Sequence, residues 1–151
     1  MNIFSFQIKN AIVADLKSKG LQANQHSIKK TMQLYETKSS RHSVVIVGGT
    51  QSGKTVAWKT LQGALISLFR KGDYDFNNVK VFPLNPKALS LGELYGEFEL
   101  GSNDWTDGVL SSIARNACNG RFYFYLNWGR RGRERMVDGF TTTYAISAYH
   151  H

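Results

Sequence analysis

Residues 43–55 read Ser43-Val44-Val45-Ile46-Val47-Gly48-Gly49-Thr50-Gln51-Ser52-Gly53-Lys54-Thr55, and the fold class turns on them. Ser43 to Val47 is a β-branched run too short for a helix and apolar on both faces, as expected of a central parallel strand ended by Gly48. Gly48-Gly49-Thr50-Gln51-Ser52-Gly53-Lys54-Thr55 then fits the phosphate-loop pattern G-x-x-x-x-G-K-S/T at every fixed position. Glycines let the backbone turn tightly, and their inward-facing amides offer partial positive charge to the α- and β-phosphates of a nucleotide. Lys54 adds a full charge for the β- and γ-phosphates. The Thr55 hydroxyl is the expected Mg²⁺ ligand. Residues 48–55 are therefore the candidate site for ATP or ADP.

Downstream of the loop, Ala57, Leu61, Ala64, Leu65 and Leu68 follow a 3.6-residue period, which predicts a helix from about Gly53 to Arg70 with Gly72 near its C-terminus. Val79-Lys80-Val81-Phe82 reads as a second strand stopped by Pro83 and Pro86, giving the order strand, loop, helix, strand of a βαβ unit. A short helix around Leu89 to Tyr95, a longer one from about Asp107 to Ala117 and a third strand at Phe122 to Leu126 complete the expected α/β pattern. Upstream, Ile8, Ile12 and Leu16 mark a helix ended by Gly20. Ile28, Met32 and Tyr35 mark another, capped by Ser27 and broken at Thr37-Lys38-Ser39-Ser40. These two form a helical lead-in.

Composition bounds the function. The 151 residues suffice for one domain, and 42% hydrophobic and 13% aromatic content is enough for a core. No long apolar run predicts a membrane span or signal peptide, so the expectation is an intracellular protein. Cys118 is the single cysteine, which excludes an internal disulfide and a cysteine-built metal site. The net charge of +8 divides into +5 over residues 1–42, zero over 43–120 and +3 over 121–151. The segment that holds the motifs is electrically balanced, which weakens a nucleic-acid reading.

Hydrolysis needs more than a phosphate loop. An acid at the end of a neighbouring strand must hold Mg²⁺ and help to position water. The strand at 122–126 runs into Leu126-Asn127-Trp128, with no carboxylate, and Asp138 follows no apolar strand. No catalytic residue is assigned, and weak or absent ATPase activity is the expectation. Glu93, Glu97, Glu99 and Asp104 read as a solvated face, not as a metal cluster, and His150 and His151 as exposed termini.

Three blocks lie between the loop and residue 115: Leu84-Asn85-Pro86-Lys87, Gly92-Glu93-Leu94-Tyr95-Gly96, and Trp105-Thr106-Asp107-Gly108-Val109-Leu110 with Arg115. Together with Ile28 through Tyr35-Glu36 and Arg41-His42 they closely resemble the second AAA+ module of dynein heavy chains, over about residues 8–116. That resemblance implies a P-loop NTPase core of the AAA+ kind, with an incomplete parallel sheet flanked by helices and preceded by the helical lead-in. The implied division is a lead-in over 1–42, a partial nucleotide-binding core over 43–120 and a basic, aromatic tail over 121–151 outside the family likeness. It also implies one module of a ring in a microtubule motor, binding ATP or ADP with Mg²⁺ and acting in a regulatory or structural role.

The implied partners are neighbouring AAA+ modules of the same heavy chain, dynein intermediate and light chains, and microtubules, with no membrane contact. The implied setting is the cytoplasm and cytoskeleton, including the axoneme of a cilium or flagellum. Trp105, Asp107 and Gly108 would shape the loop entering a helix, and Asn85, Pro86 and Tyr95 would be structural. Gln51 stands where related modules commonly have Gly. Since the likeness fades near residue 116, the chain reads as a fragment that binds nucleotide without hydrolysing it alone. A free-standing P-loop ATPase is a second reading. A basic nucleic-acid binder, suggested by Arg121-Phe122-Tyr123-Phe124-Tyr125 and Arg130-Arg131-Gly132-Arg133-Glu134-Arg135, is a third.

Overall fold

The computed structural model describes residues 3–41, 43–49, 51–72, 76, 79–82, 84–85, 88–118, 123–128 and 140–147. It divides into two compact units, one formed by residues 1–44 and 51–79 and the other by residues 45–50 and 80–151.

The first unit packs three helices: α1 (Ile3–Ser18), α2 (Gln25–Ser40) and α3 (Lys54–Arg70). Ile8, Ile12 and Leu16 of α1 are fully buried at the predicted spacing, Ile28 of α2 and Leu61, Ala64, Leu65 and Leu68 of α3 are buried too, and α1 packs on both helices. Each such side chain removed from water contributes roughly 1.5–3 kcal/mol before the entropy of ordering is set against it. Gly20 ends α1 as expected. At φ 68° it lets the Leu21 amide reach back to the Leu16 carbonyl at 2.9 Å, while its own amide bonds Lys17 at 3.0 Å. Close approach of α1 and α3 occurs at Gly63, where a Cβ would run into the Asp15 carboxylate. Lys19, ion-paired with Asp15, also donates to the Lys59 carbonyl at 3.0 Å.

Two expectations for α2 are corrected. Its N-cap is Asn24, whose side-chain oxygen accepts from the Ser27 amide at 2.7 Å; Ser27 lies inside the first turn. Asn and Ser cap about equally well, so the earlier of the two wins when the residues between them tolerate helix. Nor does Thr37-Lys38-Ser39-Ser40 break the helix. Thr37, Ser39 and Ser40 donate to the carbonyls of Gln33, Tyr35 and Glu36 at 2.7, 2.9 and 3.1 Å, so their hydroxyls are satisfied inside the helix and do not divert the backbone into a turn.

In the second unit β1 (Ser43–Gly49), whose residues from Val45 onward belong here, lies in a sheet of order β1-β5-β4 with β4 (Tyr123–Trp128) and β5 (Phe140–Ser147). β4 and β5 run antiparallel, from Tyr123 opposite Ser147 to Trp128 opposite Thr142. The expected central parallel strand is thus an edge strand among those described. Val45 and Val47 are 46% and 57% exposed instead of covered on both faces. Val79–Phe82 forms no strand, so the expected βαβ crossover is not formed among the described residues. The prolines at 83 and 86 lack amide donors and restrict the residues before them, and only Leu84 makes an isolated bridge.

The rest of the second unit is built on α4 (Leu91–Tyr95), β2 (Gly96–Phe98), β3 (Trp105–Asp107) and α5 (Val109–Cys118). A capping box starts α4. The Glu93 amide donates to Ser90 Oγ, and the Ser90 amide donates to Glu93 Oε2 at 2.8 Å. β2 and β3 form an antiparallel hairpin, with Gly96 opposite Asp107 and Phe98 opposite Trp105. Leu84 and, from α4, Leu94 form a small buried cluster, with Leu89 and, from α5, Leu110 packed against it. Among the described residues no helix is long and apolar enough to cross a membrane.

Candidate functional site

The phosphate-loop residues stand between the end of a strand and the start of a helix. β1 closes with the half-buried Gly48 and the exposed Gly49. Thr50 lies outside the described residues. Gln51, Ser52 and Gly53 follow as an exposed turn, and Lys54 and Thr55 are the first two residues of α3. Gln51 has φ 66° and Gly53 φ 81°, so two of these three turn residues are left-handed. A Cβ at Gly53 would meet open space. Glycine is favoured there by backbone conformation, not by crowding.

Gly53 also occupies the N-cap position of α3, which has no side-chain cap and no acidic residue in its first turn. No carboxylate occurs anywhere from Gly48 to Arg70. No acidic side chain of the loop or of the 17-residue helix itself thus competes for the helix's positive end. Lys54 Nζ bends back to donate to Ser52 Oγ at 3.2 Å, and the Thr55 side chain is exposed. A left-handed glycine opening an uncapped helix, followed by a lysine and a hydroxyl, is a donor set that suits a polyphosphate with its Mg²⁺.

A second group of residues named from the sequence comes together in the hairpin. Trp105 Nε1 and Arg115 Nη2 both donate to Asp107 Oδ1, at 2.8 and 2.9 Å. Gly96, at φ 121°, lies under the Trp105 ring; a Cβ there would be 2.5 Å from the ring and 2.6 Å from the Thr106 carbonyl oxygen. Gly108 is buried against the backbone of Leu94 and Gly96. Ser111 Oγ donates to the Tyr95 carbonyl at 2.6 Å, which ties α5 to the end of α4. The Gly92–Gly96 and Trp105–Leu110 blocks therefore form one brace, in which Trp105, Asp107 and Gly108 shape the entry to α5. Asn85 is half-buried and Pro86 lies outside the described residues.

Glu93, Glu97, Glu99 and Asp104 are exposed, and no group of three or more metal-ligating side chains occurs among the described residues. Hydrogen bonds from Ser90 hold the Glu93 carboxyl below the ordinary carboxylate range, as its capping role requires. Asp138, His150 and His151 lie outside the described residues, as do Arg121, Phe122 and Arg130 to Arg135 of the aromatic and arginine-rich stretch. The hairpin itself escaped sequence reading. Its signals were Gly96 and Asn103, the latter at φ 58° in a turn closed by Asn103 N to Glu99 O and Glu99 N to Asp104 O, both 2.9 Å.

Residues 3–55 match the family described as the hydrolytic ATP binding site of the dynein motor region. The chain is 55% identical over 112 residues, 74% of its length, to human dynein axonemal heavy chain 2. It is 43% identical over 113 residues, again 74% of its length, to the Chlamydomonas reinhardtii dynein-1-beta heavy chain of the flagellar inner arm I1 complex. To human dynein axonemal heavy chain 1 it is 37% identical over 113 residues, 72% of its length. The matched regions cover 2%, 2% and 3% of those relatives respectively.

Proposed function

Because this chain carries part of the dynein heavy-chain motor region, we propose that it binds ATP or ADP with Mg²⁺ through residues 48–55 and corresponds to the second AAA+ module of that motor. The observation that carries the binding claim is the left-handed Gly53 opening the uncapped α3 directly before Lys54 and Thr55. As the motif over residues 48–55 implies, backbone amides of Gly48 to Gly53 would hold phosphate, Lys54 would neutralise the β- and γ-oxygens, and Thr55 would ligate Mg²⁺. When bound, Mg²⁺ supplies charge neutralisation between the two terminal phosphates.

The assignment to the second module is supported by the blocks around Gly92–Gly96 and Trp105–Leu110, which the hairpin gathers into one brace. On this reading residues 1–42 are the lead-in, 43–120 the partial nucleotide-binding core and 121–151 a tail outside the family likeness. The partners are neighbouring AAA+ modules, dynein intermediate and light chains, and microtubules through the parent motor. The location is the cytoskeleton of the cytoplasm or the axoneme, in keeping with the names of the relatives.

Titration of the full chain with a fluorescent ATP analogue and Mg²⁺ tests the binding claim. Saturable binding that weakens at least tenfold in Lys54→Ala is expected, and no binding by the wild-type chain at millimolar nucleotide would refute it. A second reading, a hydrolytic module, is favoured by the description of the family matched over residues 3–55. Multiple-turnover phosphate release abolished by Lys54→Ala would select it, whereas binding without turnover supports the non-hydrolytic one.

A further inference from the structure

The nucleotide reading makes no use of the open groove between α1 and α2, a cavity of about 450 Å³. Its walls include Lys9 of α1 and His26, Ile28, Lys29, Met32 and Glu36 of α2. Ile28 is buried and Met32 half-buried, which gives the groove an apolar floor, while His26, Lys29 and Glu36 are exposed along its rim. Lys29 stands near the start of α2, the positive end of that helix, and Lys9 of α1 adds a second positive charge to the lining. Glu36 lies seven residues beyond Lys29, about 10 Å along the helix. Among the described residues none of Lys9, Lys29 and Glu36 takes part in an ion pair.

We propose that this groove docks an amphipathic helix of a partner protein, with the apolar stripe of that helix on Ile28 and Met32 and its acidic flank against Lys9 and Lys29. A cleft between two helices, with Ile28 and Met32 in its lining and charged residues of both helices beside them, suits the apolar stripe and charged flank of an amphipathic helix. The sign of the partner follows from charge complementarity: two unpaired lysines outweigh one glutamate, and residues 1–42 carry a net +5. This surface is independent of the phosphate loop and stands whether or not nucleotide binds.

Fluorescence anisotropy of the full chain with two labelled helical peptides tests the proposal. The peptides share one Leu stripe and carry either Glu or Lys on its flank. The Glu peptide is expected to bind about tenfold tighter than the Lys peptide at low salt. The double variant Lys9→Glu/Lys29→Glu, melting as wild type, is expected to invert that preference, which a loss of fold would not do. If the double variant unfolds, Lys29→Glu alone, at an exposed position, is expected to weaken the Glu peptide about threefold. Equal binding of the two peptides, or Glu-peptide binding unmoved by the charge reversal, overturns the proposal. Self-association of the chain abolished by the same reversal would assign the groove to a second copy and overturn it too.

Discussion

Arg115 Nη2 lies 2.9 Å from Asp107 Oδ1, and that oxygen also accepts the Trp105 indole N–H at 2.8 Å. The two bonds differ in worth. The Arg115 side chain is 70% exposed, so water and salt screen its ion pair to about 0.5 kcal/mol. The indole bond to a charged acceptor is worth about 1.5 kcal/mol. Asp107→Ala is therefore expected to destabilise the chain by about 2 kcal/mol and Arg115→Ala by less than about 1 kcal/mol. Chemical denaturation of each variant checks this; a larger loss in the arginine variant would mean that the ion pair, not the indole bond, holds the brace.

Gly108 offers a sharper test of the same brace. A Cβ added there would collide with the Leu94 carbonyl and sit 2.6 Å from the Gly96 amide nitrogen, so backbone must move. Gly108→Ala is expected to cost about 2–3 kcal/mol. Gly101→Ala, in the hairpin turn where a Cβ meets nothing within 4 Å, is expected to change stability by less than about 0.5 kcal/mol. Comparable melting temperatures for the two variants would contradict the close approach of α4 and the start of α5.

These examples also show which features the sequence made legible. Gly20 and Gly53 announced themselves because a left-handed turn leaves a residue-type signature at a fixed place relative to a helical period. The three helices of the first unit followed from Ile8, Ile12 and Leu16, from Ile28, Met32 and Tyr35, and from the Leu61 to Leu68 pattern, with the ends of α2 misplaced. The sheet did not, because strand pairing is non-local. Val79–Phe82 has strand composition but forms no strand, while Phe140–Ser147, rich in Thr, Tyr and Ile, pairs with Tyr123–Trp128 and passed unremarked. The candidate site was legible as a motif. That Gln51 takes a left-handed backbone was not.

Gln51 carries the conformational cost of that turn. A non-glycine residue at φ 66° pays about 1–2 kcal/mol in contacts between its Cβ and backbone. Gln51→Gly lowers that strain but gives the unfolded chain more freedom, leaving an expected net gain of up to about 1 kcal/mol. Gly53→Ala, at φ 81°, is expected to lose about 1–2 kcal/mol. Thermal melts of the two variants should move in opposite directions, and a Gln51→Gly protein melting well below wild type would contradict the left-handed turn.

Thr60 is an uncompensated polar group in the middle of α3. It is 1% exposed, and its Oγ1 makes no hydrogen bond among the described residues. Val keeps the branched shape and removes the unsatisfied hydroxyl, so Thr60→Val is expected to stabilise the chain by about 1 kcal/mol. A destabilised Thr60→Val variant in denaturant titration would show that the hydroxyl has a partner in solution.

Lys38 gives stability a dependence on alkaline pH. Only 9% exposed, its ammonium is desolvated by burial, which lowers its pKa from 10.5 to about 8, although it lies 5.9 Å over the Tyr35 ring. With the folded value below the unfolded one, the unfolded chain binds more protons between pH 8 and 10.5. Stability contributed by this group therefore rises with pH across that window. Below pH 8 the burial penalty is present in full. Lys38→Met, which keeps the apolar stem and removes the charge, is expected to be more stable than wild type by about 1–3 kcal/mol at pH 7. That advantage should shrink as pH passes from 8 to 10.5. Denaturant melts of both proteins at pH 7 and pH 10 read the difference directly, and an advantage unchanged between the two would mean that burial of the charge is not what the substitution relieves.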